Sequence, residues 1–381
     1  MSISPLEDLN AAIEANNPFN RNLCVGTRDV WSRELPDLPS LHAHVSNAVI
    51  DAVDEVRSGQ RQAIGITLNA EKGQGKTHLI ARIRQRLKER GDVLFVYMTE
   101  YDDLDRIREE LLNTLTNSFK QSGAQEVTQW QELATTFVND VLDKDYSPQH
   151  LVSKFSEILK EKPDVIDELM DKILEVMPEI DENPDLIRAI LWTLSPKYAP
   201  HAAKWIGGRA LSERAADVFG LPANPEIDAF ERICQLLDLI SVHHILVICF
   251  DSLDNLTVSD SGLTTAQCVT DLGADLYNTI ERGVILTTMY SETWIHQIKA
   301  LPDAEFVIDR LGEKVFVLNG LDPDETVELI GHYLQKFYTD QRLIPPHPVY
   351  PFEERALRVI SQERPTPRQI LKWCQENWNM P

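Results

Sequence analysis

The sequence predicts an α/β fold: a parallel sheet flanked by helices, broken by a large helical insertion and followed by a small helical C-terminal lid domain. Three observations carry this prediction. Apolar runs of strand length lie at 63–68, 93–98 and 245–250. A glycine-rich loop directly follows the first run and leads into a helix. Residues 102–241 hold strong helical periodicity and little strand signal.

Taken in order, residues 1–40 read as an irregular N-terminal segment, because Pro18, Pro36 and Pro39 break any helix. A helix is expected after Pro39, where Leu41, Val45, Val49, Val53 and Val56 recur at helical spacing. Strand 63–68, its loop, a helix with Leu79, Ile80, Ile83 and Leu87, and strand 93–98 complete a first core segment, 41–101. The insertion, 102–241, carries apolar stripes such as Val165, Leu169 and Ile173 and many acidic residues. Runs at 245–250, 284–288 and 315–318 supply further strands of a second core segment, 242–320. Residues 321–381 are helical again, with breaks at Pro345-Pro346 and Pro365.

Hydrophobic residues make up 43% of the 381 and charged residues 25%, which excludes whole-chain disorder and fibrous classes. The net charge is −23, so the surface as a whole repels phosphate backbones, and DNA is expected only at a local patch or within an assembly. Five scattered cysteines, Cys24, Cys234, Cys249, Cys268 and Cys374, form no CxxC pair and read as reduced thiols. No signal pattern opens the chain and no apolar run is long enough to span a bilayer, so a cytoplasmic protein is expected.

The strongest chemical signal is Ala70-Glu71-Lys72-Gly73-Gln74-Gly75-Lys76-Thr77, a Walker A pattern with Ala70 at the first glycine position. Gly73 and Gly75 let backbone N–H groups turn inward around a phosphate. Lys76 reaches its outer oxygens, and the Thr77 hydroxyl can hold Mg²⁺. The helix that starts at Lys76 adds its N-terminal dipole, and Gln74 and His78 complete the candidate phosphate contacts.

The run 245–250 ends in Asp251-Ser252-Leu253-Asp254-Asn255. A carboxylate at the end of a buried strand in a chain with such a loop suits a Mg²⁺ partner, and Asp251 is the candidate. Many ATPases of this kind place a glutamate next, to polarise water. Ser252 stands there and is a poor base near neutral pH. Asp254, three positions on, and Glu100, just past the second strand, are the substitutes, and the sequence leaves the choice open.

These residues together resemble the AAA+/STAND group of P-loop ATPases, especially its origin-recognition-like branch, over about 40–100 and 240–375 but not the insertion. The pair Asp251 and Asp254, with Ser252 between, is similar to that branch's extended Walker B. The resemblance implies that Thr288, or else Thr287, senses the γ-phosphate, and that Arg310 reaches a neighbouring subunit's nucleotide. It also implies that Leu321–Thr326 opens a lid domain from which Arg368 folds back onto the phosphates. Arginine suits such work because it stays charged and donates in a planar fork. Trp205-Ile206-Gly207-Gly208 and Phe219-Gly220-Leu221 more faintly resemble ATP-binding proteins of bacterial BREX-type anti-phage defence loci, and also read as helix-breaking turns packed by a tryptophan.

The expected ligands are ATP or ADP with Mg²⁺, and the expected partner is a second copy or another protein met through the insertion. The expected activity is an ATPase that couples Mg-ATP binding to assembly. The alternatives are a non-hydrolysing switch, motivated by Ser252, and a DNA-associated regulator in transposition, replication or defence. Arg82, Arg84, Arg86, Lys88 and Arg90 read as a solvated helix face, and Trp373 and Trp378 as core or partner contacts.

Overall fold

A computed structural model of the chain describes residues 4–20, 26–31, 37–176, 183–302 and 304–378; Cys24 and Pro36 lie outside them. The chain divides into two compact units, Met1–Ala48 with Leu68–Arg84 and Phe316–Pro381, and Val49–Thr67 with Gln85–Val315. The elements run α1 (Leu6–Ala15), α2 (Ala43–Arg57), β1 (Ala63–Asn69), α3 (Lys76–Lys88) and β2 (Val93–Met98). The insertion follows as α4 (Ile107–Ser118), α5 (Gln129–Leu142), α6 (Pro148–Glu161), α7 (Val165–Val176), α8 (Pro184–Trp192), α9 (Ala199–Ile206), α10 (Glu213–Phe219) and α11 (Ala229–Ser241). Then come β3 (Ile245–Phe250), α12 (Thr265–Thr279), β4 (Gly283–Met289), α13 (Ser291–Thr293), α14 (Ala304–Leu311) and β5 (Lys314–Val317). The chain closes with α15 (Pro323–Gln341), α16 (Glu354–Ile360) and α17 (Pro367–Glu376).

The five strands line up as β2-β3-β4-β1-β5. β2, β3 and β4 pair in parallel, with Met98 opposite Phe250 and Phe250 opposite Thr287. Every residue of β1 to β4 is buried, as near-continuous apolar runs in a sheet covered on both faces require. The register brings the ends of β2, β3 and β4 to one edge, so Glu100, Asp251 and Thr288 leave the sheet on the same side.

Among its described residues the insertion folds into the helices α4 to α11, as its periodicity predicts. Some of its helices start where short polar side chains cap them: Thr128 and Gln131 form a reciprocal box at α5, and Asp228 caps α11. Trp130 and Phe119 meet edge-on at 4.8 Å between centroids in its core. The tryptophan–glycine sequence at 205–208 is a helix-ending turn. Trp205 is buried with its Nε1 donating to the Pro222 carbonyl at 2.8 Å, and Gly208 takes φ +79°.

In the other unit the N-terminal segment departs from expectation. Residues 6–15 form α1, and Leu9, Ile13 and Phe19 join Leu334, Phe352 and Trp378 in one core. Trp378 donates its Nε1 to the Ile13 carbonyl at 2.8 Å. Pro18 breaks the helix only after it has delivered two apolar residues one turn apart.

The arginines of α3 also differ from the expected solvated face. Arg82 and Arg84 are buried, Arg82 donating to the Leu38 carbonyl at 2.7 Å and Arg84 lying 4.7 Å over the Trp31 ring. Their long stems cover apolar surface while the heads find carbonyl or aromatic partners.

Gly65 in β1 is where the sheet meets α14. A Cβ there would lie 1.8 Å from the Arg310 carbonyl oxygen, which belongs to a backbone and cannot swing aside. Gly65→Ala should therefore cost about 3 kcal/mol by overpacking, read as a lower urea midpoint with an unchanged slope.

Candidate functional site

The phosphate loop lies in the unit that also holds α17. Gly73 and Gly75 take φ +92° and +93°, the left-handed region a side chain would strain. The Lys76 ammonium donates back to the Ala70 carbonyl, closing the loop on itself. Gln74 is buried, its Oε1 accepting from the Glu71 amide, so its side chain shapes the loop from within. α3 begins immediately, with the Leu79 amide donating to the Gly75 carbonyl at 2.9 Å, and Thr77 is half-buried in its first turn.

The first turn of α17 is seated directly on this loop. Thr366 and Gln369 form a reciprocal capping box that fixes where the helix begins. The Arg368 amide donates to the Gly73 carbonyl at 3.4 Å, and a Cβ on Gly73 would lie 3.1 Å from the Arg368 Cβ. The backbone of Arg368 thus touches the loop, and its side chain is exposed.

His78 was a candidate phosphate contact. Its Nε2 instead meets Asp37 Oδ1 at 2.9 Å, and Arg82 Nε donates to the same oxygen at 2.7 Å. Burial alone would raise the Asp37 carboxyl, but hydrogen bonds from His78 and Arg82, with the Arg82 charge, hold it below the usual carboxylate range. His42, in the same segment, is buried at φ +56°. Burial and then the neighbouring His44 push its imidazole down to about 4, so it is neutral at physiological pH. Neither Asp37 nor His42 stands in a motif. The nearest local signal in the sequence is the pair of prolines, 36 and 39, that flank Asp37.

In the other unit, Asp251 is completely buried at the end of β3. Both carboxylate oxygens accept hydroxyls: Tyr97 donates to Oδ2 at 2.8 Å, and Thr288 donates to Oδ1. Burial, then the Asp251 charge, drives the Tyr97 phenol far above its usual value, so it stays a donor. The Ser252 amide donates to the Thr288 hydroxyl at 3.2 Å, and Ser252 takes φ +64°, turning the chain sharply after Asp251. Thr287, the second sensor candidate, faces the other way, its hydroxyl 2.9 Å from that of Thr67.

The remaining candidates separate. Asp254 Oδ1 accepts from the Tyr290 amide and from the Thr293 hydroxyl at 2.8 Å, so it anchors α13 and the π-helical turn that follows. Glu100 is exposed just past β2, at the edge from which Asp251 emerges. Arg310 stands in the last turn of α14, held by Asn278 Oδ1 at 2.8 Å, with its guanidinium 3.8 Å over the Phe306 ring. Tyr97 is a contact of Asp251 that the sequence hides, because a tyrosine within a buried strand looks like any other core aromatic.

A family model described as the KAP family P-loop domain matches residues 42–268. The match takes in the phosphate loop, Asp251 and all of the insertion, which the sequence resemblance had left out. Solved structures similar to this chain include Cdc6p from Pyrobaculum aerophilum, with a TM-score of 0.41 at 10% identity, covering 93% of this chain and 67% of that one. The Aeropyrum pernix ORC2 protein, solved as ADPNP-ADP complexes, gives 0.42 at 12% identity with the same coverage. The Aeropyrum pernix ORC1 protein in complex with DNA gives 0.36 at 11%, covering 93% of this chain and 71% of that one. No curated protein matches the chain.

Two outcomes follow from these contacts. The Asp37 contribution is complete above the unfolded carboxyl value, near 3.9, and is lost as pH falls through the lower folded value. Asp37→Asn should cost about 1–3 kcal/mol at pH 7, and urea titrations should show the gap from wild type closing below about pH 4. Tyr97→Phe leaves a buried carboxylate oxygen without its donor and should cost about 1–3 kcal/mol, read as a lower thermal midpoint.

Proposed function

The chain belongs to the KAP family of P-loop domains, and on that premise we propose that it is an ATPase that couples Mg-ATP binding to assembly. The observation that carries this reading is α17 seated on Gly73. A helix whose first turn touches the phosphate loop through its backbone leaves the Arg368 guanidinium at liberty to meet a phosphate held there. Lid and loop then answer to the same ligand.

The donors suit magnesium. The Thr77 hydroxyl and the Asp251 carboxylate are hard oxygens, and a carboxylate already accepting two hydroxyls suits an ion that keeps most of its waters. Bound magnesium would neutralise charge on the phosphates being split. Thr288 then serves by orienting Asp251 through its hydroxyl. Glu100 is the better base: its carboxylate is exposed at the strand edge, whereas Asp254 is spent on α13. Arg310 acts across a subunit contact, its guanidinium stacked on an exposed phenyl ring at the end of α14.

A second reading, a nucleotide switch without turnover, is favoured by one observation. Ser252 sits in a left-handed turn with its amide tied to Thr288, so no carboxylate directly follows Asp251.

Steady-state turnover and calorimetric ATP binding separate the two. Lys76→Ala should abolish binding. Glu100→Gln should leave binding intact and cut turnover by about 100-fold, whereas Asp254→Asn should lower the melting temperature and leave turnover per folded molecule unchanged. Wild-type binding with turnover no higher than that of Lys76→Ala would establish the switch. Turnover per chain that rises with protein concentration, and ceases to rise in Arg310→Ala, is the expected mark of a shared site.

A further inference from the structure

The insertion carries a charge arrangement that the nucleotide reading does not use. At the start of α4, Asp102, Asp103, Asp105, Glu109 and Glu110 stand against Arg106 and Arg108, a net −3 over 102–110. Asp102, Asp103 and Asp105 are exposed. Burial, then the charges of Asp102 and Asp103, raise the Glu110 carboxyl against a hydrogen bond from the Asp103 amide. The opposite end of the helix lies in a stretch without acid: residues 111–125 contain none, and neither do residues 186–212, which hold Arg188, Lys197, Lys204 and Arg209.

The fold brings these two acid-free stretches together. α9 packs on α4, with Gly207 against the Thr116 hydroxyl and Gly208 against Leu112. The turn at Gly208, closed by the Arg209 amide donating to the Lys204 carbonyl at 3.1 Å, delivers Arg209 to the α4 surface. There Arg209 donates to Asn113 Oδ1 at 3.2 Å, and Lys120 to Asn117 Oδ1 at 3.0 Å. Both cations are exposed, each is held by an amide, and neither pairs with a carboxylate among the described residues. Burial first, and then the Arg209 charge, lower the Lys120 ammonium.

Helix dipoles favour acid at a helix start and base at its end. That accounts for the sign at each end but not for two cations gathered side by side in a chain of −23. α4 is 12 residues long, so its ends are about 18 Å apart. That exceeds the Debye length of about 8 Å at physiological salt, so the ends do not neutralise one another within one molecule. Nucleic acid is the poorer occupant, since this handful of cations falls short of the roughly 6–10 phosphate contacts over which such binding builds its affinity.

We propose that the Lys120–Arg209 patch of one copy docks on the Asp102–Glu110 cluster of a second copy. The contact is head-to-tail, so it propagates into a ring or a filament. It rests on the reading that copies assemble, and it names a contact that needs neither Arg310 nor the phosphates.

Sedimentation velocity with Mg-ATP, at about 0.05 and 0.5 M salt, tests this on wild type, Lys120→Glu/Arg209→Glu, Asp102→Lys/Asp103→Lys, and an equimolar mixture of the two variants. Circular dichroism should show each variant folded, because all four positions are exposed. Wild type should assemble at low salt and dissociate at high salt. Each variant alone should associate at least about tenfold more weakly, and the mixture should recover pairing through the swapped charges. Unchanged assembly in the variants overturns the contact and leaves the assembly reading standing, whereas a wild type that stays monomeric overturns both. Loss in the variants without recovery in the mixture overturns the complementarity. A fluorescent DNA duplex bound by wild type, and released by Lys120→Glu/Arg209→Glu with assembly unchanged, would assign the patch to nucleic acid instead.

Discussion

The constraint on which the sheet edge depends is a single buried carboxylate. Asp251 is fully enclosed at the end of β3, and an ionised carboxylate in such a place is tolerable only if its oxygens are satisfied. Two hydroxyls do this, one from each neighbouring strand. Tyr97 comes from β2 and Thr288 from β4, so the requirement of one side chain fixes the mutual register of three strands where they emerge. The Tyr101 hydroxyl, donating at 3.0 Å to the Asp251 carbonyl, extends the network to the segment that carries Glu100. The left-handed turn at Ser252 follows from the same arrangement, because its amide must reach the Thr288 hydroxyl.

The phosphate loop answers a different requirement. Its glycines give the backbone its curvature, and backbone groups meet it and its helix from outside as well. The Arg368 amide meets the Gly73 carbonyl, and two backbone carbonyls from Leu38 and Leu41 meet Arg82 on the helix behind. Asp37 adds a carboxylate, shared between His78 and Arg82. The N-terminal segment is therefore a brace on the helix that begins with Lys76 and Thr77. The same segment, through α1 and Phe19, enters the core from which α17 projects. Loop, brace and α17 are parts of one folded unit.

How much of this could be read in advance depends on whether the signal was local. The strands were legible because a strand buried on both faces must be a short apolar run, and the phosphate loop because its glycines and lysine must be contiguous. Asp251 was legible from its place at a strand end. Tyr97 was not, since its partner lies 154 residues away. The contacts of Asp254 were hidden for the same reason: a carboxylate three positions past Asp251 has the spacing of a catalytic pair, and its Oδ1 also serves the amide and hydroxyl of a turn 36 and 39 residues on. The helix over 6–15 was obscured by the prolines after it, although Leu9 and Ile13 already had the spacing of a buried stripe.

The insertion shows the opposite limit. Its helical character was plain, but the meaning of its charge was not, because the informative feature is a deficit. Acid is missing from 111–125 and from 186–212, and a deficit in two distant stretches becomes a surface only when α9 is laid on α4. The glycines at 207 and 208 make that contact close, one against Thr116 and the other turning the chain so that Arg209 arrives beside Lys120. A larger residue at 207 would press on the Thr116 hydroxyl, 3.3 Å from its Cβ. The turn that first reads as a packed helix end is thus also what assembles the Lys120–Arg209 patch from residues that the sequence keeps far apart.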